Sequence, residues 1–196
     1  MAFLSEAQLQ ALGFKRLGRD VRISDKAALY NPEAMELGDH VRIDDFCVVS
    51  GRVVFGRNVH VAVFCNIAGA GVGVQLGDFA GLAYGCHVFA QSDDYSGLTM
   101  TNPTVPAAFK QETCAPVRIG RHCIVGCKSV VLPGVALAEG CAIGAMSLVT
   151  RSTEPWSICW GTPARRMGER RRDLLLLERD YLAMQPAAPQ HGVTAP

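Results

Sequence analysis

The sequence predicts an all-β solenoid, a triangular prism of short stacked strands, and three observations carry that prediction. From Ile119 to Thr150 an aliphatic residue leads every sixth position: Ile119, Val125, Val131, Leu137, Ile143 and Val149. The fifth place of each hexad is small or β-branched, with Cys123, Ser129, Val135, Cys141 and Ser147, and Gly or Ala follows the lead at 120, 126, 138 and 144. The same register appears upstream at Leu37, Ile43, Val49, Phe55, Val61 and Ile67, and again at Leu76, Leu82 and Val88. A strand repeats its apolar face every second residue and a helix every 3.6, so a period of six fits neither. It fits a coil of short strands and corners, in which stacking buries one aliphatic at each equivalent place.

Taken in order, Ser5–Leu12 reads as a short helix, with Ser5 as cap, Leu9 and Leu12 on one face and Gly13 as terminator. With residues 1–22 it is expected to cover the first coil, because a solenoid end must be shielded. The solenoid itself is expected over 23–155. Ile23 and Leu29 open an irregular first coil with Asn31-Pro32 as a corner, and the register locks at Leu37. Three extra residues near Ala70–Gly73 form a small corner excursion. Three hexads per coil then predict the stacks 37/55/76/119/137, 43/61/82/125/143 and 49/67/88/131/149, about five full coils above a ragged first one. The segment 89–118 breaks the count. A loop this long on a rigid scaffold is usually functional, so it is read as an active-site or subunit-clasping loop without secondary structure of its own. The segment 156–184 closes the chain, with a helix over Glu169–Met184 presenting Leu174, Leu177, Tyr181 and Met184, and with Arg170–Arg172 as its solvated first turn. Residues 185–196 read as a frayed tail.

The 196 residues make one domain with appendages. With 19 basic and 18 acidic residues, long-range attraction to nucleic acid or an anionic membrane is excluded. The opening Met-Ala-Phe-Leu-Ser-Glu does not read as a secretory leader, and no apolar run approaches the roughly 18 residues of a membrane span, so a soluble cytoplasmic protein is expected. Of eight cysteines, Cys47, Cys65, Cys86, Cys123 and Cys141 fall on the fifth hexad place, where a small side chain is needed. No Cys-x-x-Cys occurs, and the expectation is free thiols and no metal. His40 and His122 take the fourth place of their hexads, a corner, and are expected to face solvent. His60 and His87 end hexads at different corners, and Asp93-Asp94 is either a turn-forming pair or a catalytic one.

The hexads, the protruding loop and the closing Trp160-Gly-Thr-Pro-Ala-Arg165 resemble the hexapeptide-repeat acyltransferases. That resemblance implies a left-handed parallel β-helix, a homotrimer, and acyl transfer from acetyl-CoA. The segments 42–50, 91–97 and 101–106 further resemble the acetyltransferases of nucleotide-linked 4-amino-4,6-dideoxy sugars, which implies dTDP-4-amino-4,6-dideoxyglucose as acceptor and a place in O-antigen synthesis. Sugar O-acetyltransferases of this superfamily keep a His as general base after the coil that reads here Leu82–Ser92. The equivalent place holds Asp93. A sugar hydroxyl needs a base tuned near neutrality, whereas an amine needs only to shed one proton from its ammonium form, so the carboxylate points to nitrogen. Asp94 is the alternative base, with His87 and His60 as secondary candidates.

For the acceptor, Tyr84, His87 and Tyr95 are the expected contacts. For coenzyme A, the family's binding surface maps onto the small residues Gly126, Ala142, Gly144 and Ala145 and onto Pro163, Ala164, Arg165 and Arg166, the arginines suited to phosphate. A sugar O-acetyltransferase using His60 or His87 is the alternative activity. A silent hexapeptide-repeat protein or a γ-class carbonic anhydrase relative is the third, although the His spacings do not match three zinc ligands.

Overall fold

Three parallel sheets form the sides of a prism in the computed structural model, which describes residues 2–185. The first and third sheets are six strands deep and the second has eight. Each lead aliphatic lies over its predicted partner: Leu37, Phe55, Leu76, Ile119 and Leu137 on the first face; Ile43, Val61, Leu82, Val125 and Ile143 on the second; Val49, Ile67, Val88, Val131 and Val149 on the third. All fifteen are buried, and they are the interior of the prism.

The solenoid begins earlier than the sequence suggested. Arg16–Leu17, Arg22–Ile23 and Ala28–Tyr30 pair in parallel with Met35–Leu37, Arg42–Ile43 and Val48–Ser50, so the first coil is complete and not ragged. Its hexads carry the same marks as the later ones, with Leu17, Ile23 and Leu29 in the lead and Gly18 and Ser24 directly after the first two. Helix α1, Glu6–Ala11, packs Leu9 against this coil, and Ser5 closes a capping box with Gln8.

Corners form where the fourth hexad residue turns into the left-handed region, with φ near +60° at His40, Phe46, Asn58, Phe64, Phe79, His122, Lys128 and Met146. All of these but Phe46 are seen to donate a backbone bond to the coil below, as in His122 N–H to Asp78 O at 2.9 Å and Lys128 N–H to Tyr84 O at 2.8 Å. The fifth-place thiols point inward and donate to the next coil: Cys47 to Ala62 O (3.0 Å), Cys65 to Ala83 O (3.1 Å) and Cys86 to Gly126 O (3.1 Å). Ser129 does the same to Gly144 O at 2.9 Å. Where the fifth residue is Cys or Ser, it gives the corner carbonyl of the next coil a partner where water cannot reach. Every cysteine is a free thiol, and five of the six fully interior ones are those expected, the sixth being Cys159.

Beyond Val149 the chain departs from expectation. Ser157–Gly161 stacks on Ala142–Ile143 and turns back as Ala164–Glu169, an antiparallel hairpin that extends the second face. The Pro163-Ala164 turn therefore leads into a strand, and helix α2 spans only Leu174–Ala183. Nor is the arginine run a solvated helical turn. Arg170 Nη1 donates to His122 O at 2.6 Å and to Gly140 O at 3.1 Å, Arg171 pairs with Asp173, and Arg172 lies 5.5 Å from the Trp156 ring centre. The tail 186–196, including His191, lies outside the described residues.

Candidate active site

Strand His87–Phe89 delivers the chain from the prism to the long loop. That loop is more ordered than expected. Gln91–Ser92 pairs antiparallel with Thr113–Cys114 to form a neck, and Ala107–Phe109 adds a short 3-10 turn. Within it the two adjacent carboxylates differ. Asp94 accepts from Ser96 N–H at 2.8 Å, Thr99 N–H at 3.0 Å and the Thr99 hydroxyl at 3.3 Å. The Ser96 and Thr99 donors pull its carboxyl down to about 2, so Asp94 is an ion committed to shaping the loop and a weak proton acceptor. Asp93 has one long bond, from Asn102 N–H at 3.4 Å, which leaves most of its lone pairs uncommitted. Tyr95, two residues further on, is fully extended into solvent.

On the second face, His60 Nε2 lies 2.8 Å from Asp44 Oδ2, and Arg42 Nε donates to the other oxygen at 2.7 Å. Burial raises the Asp44 carboxyl, but the bonds from Arg42 and His60 outweigh it and hold it below the ordinary value. The sequence reading missed Asp44. Its signal was the Arg-x-Asp spacing with both residues on one side of a strand. His87 stacks on Phe89, ring centres 5.8 Å apart, and is half-buried, while Tyr84 stands exposed at the corner below.

His122 contradicts its expected exposure. It is buried, stacked on Phe79 at 5.1 Å, with Nε2 3.0 Å from the buried Glu178 carboxylate, because helix α2 folds over this corner. Arg121 completes the cluster with its own bond to Glu178.

The expected coenzyme A surface lies on the second face and the adjoining corner of the upper coils. A β-carbon at Gly126 would sit 2.5 Å from Ala145 N, and one at Gly144 would sit 2.7 Å from Trp160 Cβ. Coil stacking alone therefore demands both glycines. Ala145 is exposed, and Ala142 is half-buried. At the hairpin tip Arg165 is exposed and its guanidinium donates to the neighbouring Ala164 carbonyl, while Arg166 is already paired with Glu154 and Glu169. Among the described residues no group of three or more His, Cys, Asp or Glu is placed to hold a metal ion, and no helix is long and apolar enough to cross a membrane.

A solenoid of hexads with a shaped acidic loop on its flank defines a class, and the chain belongs to it: the hexapeptide-repeat acyltransferases, whose prism is a left-handed parallel β-helix. A family model described as the hexapeptide repeat of succinyl-transferase matches residues 116–151. More specifically, the chain is 42% identical over 181 residues to the dTDP-4-amino-4,6-dideoxy-D-glucose acyltransferase of Escherichia coli, covering 91% of this chain and 94% of that protein. AntD, an N-acyltransferase from Bacillus cereus solved with dTDP and 3-hydroxybutyryl-CoA, superposes with a TM-score of 0.91 at 39% identity over 92% of this chain and 96% of AntD. An AntD variant holding dTDP-4-amino-4,6-dideoxyglucose and coenzyme A superposes with a TM-score of 0.92 at 38% identity, over 93% and 98% of the two chains. The chain is thus an acyl-CoA-dependent N-acyltransferase.

Proposed function

We propose that this enzyme transfers an acetyl group from acetyl-CoA to the 4-amino group of dTDP-4-amino-4,6-dideoxyglucose, as a cytoplasmic homotrimer serving O-antigen or other surface-polysaccharide synthesis. The observation that carries the acceptor is the near full-length likeness to an enzyme named for that sugar. Asp93 is the base. Its uncommitted oxygens hold the ammonium and take one proton, and the freed amine attacks the thioester carbonyl. The C–N bond forms, a backbone N–H at a coil corner steadies the oxyanion, and the C–S bond breaks. The thiolate leaves as the nitrogen gives up its second proton, so the products are the amide and the protonated thiol. Tyr84, His87 and Tyr95 contact the sugar nucleotide. The small residues Gly126, Ala142, Gly144 and Ala145 border the pantetheine arm, and Pro163, Ala164, Arg165 and Arg166 meet the adenosine phosphates.

Asp93→Asn keeps the shape and removes the base, so turnover should fall by about two to four orders of magnitude with the fold unchanged. Asp94→Asn should act instead through loop order, chiefly on KM. Near-normal turnover in Asp93→Asn would remove Asp93 from the mechanism. The Asp44–His60 pair favours one second assignment of the base, in which His60, oriented by that carboxylate, takes the amine proton in place of Asp93. Under that reading His60→Asn, and not Asp93→Asn, abolishes turnover.

A further inference from the structure

We infer that Glu112 is the positioning residue of the base: from the returning side of the loop neck it clasps Gln91, two residues before Asp93, and so fixes the direction in which the Asp93 carboxylate points. The inference rests on the reading of Asp93 as base and adds what holds that base in place.

Asp93 does not aim itself. The one bond its carboxylate makes among the described residues, from Asn102 N–H, is 3.4 Å long. Its direction is therefore inherited from the backbone, which enters the loop through a short neck. Ala90 is fully buried at the edge of the prism, and its carbonyl accepts from Ala115 N–H at 3.0 Å. Beyond it the ladder consists of two residue pairs, Gln91 opposite Cys114 and Ser92 opposite Thr113. A two-stranded ribbon of that size is marginal by itself. The Ser92 hydroxyl donates to the Asp93 carbonyl at 3.3 Å, so a twist of the neck passes directly to the base.

Side chains supply what the ladder lacks. One oxygen of the Glu112 carboxylate accepts from the Gln91 amide across the neck, and the other accepts from Lys110 Nζ at 2.8 Å. Hydrogen bonds to an ionised acceptor are roughly twice as strong as neutral ones. Lys110 also holds the Glu112 carboxyl below its ordinary value, which keeps the clasp ionised. The Lys110 side chain is 11% exposed, although it belongs to a lobe whose Leu98 and Phe109 stand in solvent. Covering a cation in a surface lobe opposes folding unless a partner is fixed against it, and Glu112 is that partner. A second tie lies further out, where the Thr99 hydroxyl accepts from Gln111 N–H at 3.2 Å. That tie runs through Asp94, whereas the Glu112 clasp holds the strand that ends at Asp93.

The test is thiol release by the full chain, with acetyl-CoA and the amino sugar both saturating, in the wild-type and Asp93→Asn backgrounds. Glu112→Leu should lower kcat roughly 10- to 100-fold, the effect of a base displaced by about an ångström. The melting temperature and KM for acetyl-CoA should not change, because the prism and the coenzyme A surface are untouched. Glu112→Gln, which keeps an oxygen for Gln91, should recover part of the loss. In Asp93→Asn the same Glu112→Leu substitution should change the residual release by less than about twofold, since no base is left to aim. Glu112→Leu also strands the Lys110 charge, so the paired variant Lys110→Met/Glu112→Leu, which restores apolar packing without the clasp, decides the matter and should lose kcat equally. Near-normal kcat in the paired variant, or a loss in Asp93→Asn as large as in wild type, overturns the positioning role alone and leaves Asp93 as base. Undiminished release from Asp93→Asn itself overturns both.

Discussion

Glu178 is the only buried side chain of helix α2, and it holds that helix to the prism through His122 and Arg121. Replacing it by alanine removes the acceptor of a hydrogen bond to a buried imidazole, a loss of about 1.5–3 kcal/mol when the acceptor is charged. The Arg121 contribution adds at most about 0.5 kcal/mol, because that guanidinium is half in solvent and screened. A total of about 2–3 kcal/mol corresponds to a 30- to 150-fold rise in local opening. Glu178→Ala should therefore speed amide exchange across 174–183 by that factor, while the strands of the prism keep their protection. Glu178→Gln, which retains one acceptor oxygen, should fall between.

The pH dependence has a definite sign. Arg121 first, and then His122, hold the Glu178 carboxyl below its ordinary 4.5 against the opposing effect of burial. The stabilisation is thus fully present above that ordinary value and is lost as pH falls through the lowered folded value. Hydrogen exchange by mass spectrometry is the assay. Unchanged exchange in 174–183 for Glu178→Ala would refute the idea that this carboxylate docks the helix.

Three further outcomes follow from the same geometry. Ala145→Leu adds bulk to an exposed place on the expected pantetheine surface, so KM for acyl-CoA should rise several-fold with the melting temperature unchanged, whereas Gly126→Ala should unfold coils because its β-carbon meets backbone. Arg165→Ala should weaken coenzyme A by about tenfold, as loss of a charge-assisted phosphate contact does, and Arg166→Ala less, since Arg166 is already engaged by Glu154 and Glu169; titration calorimetry separates them. Ile67→Ala, at a fully buried place in the third stack, should cost about 2–5 kcal/mol in denaturant unfolding without altering KM.

The prism was legible because each coil spends one aliphatic per side and the spacing of those aliphatics is a sequence property. Leu37 over Phe55 over Leu76 could be paired by counting alone. What counting missed came from chain segments distant in sequence. His122 occupies a corner that a bare solenoid exposes, and only Glu178, 56 residues later, brings the cover that buries it. The hairpin 157–169 did carry a signal, since Ser157 and Cys159 point in while Ile158 and Trp160 point out, a period of two that the Thr162-Pro163 turn obscured. Asp93 and Asp94 are indistinguishable as letters. Their difference lies in which backbone N–H groups of the loop each one faces, and that is set by Ser96, Thr99 and Asn102.

The chemistry is tested most directly by thiol release from acetyl-CoA with dTDP-4-amino-4,6-dideoxyglucose set beside its 4-hydroxy counterpart. Release with the amine alone, lost in Asp93→Asn, is the predicted result. Release with the hydroxyl sugar at a comparable rate, or undiminished release from Asp93→Asn, would contradict it.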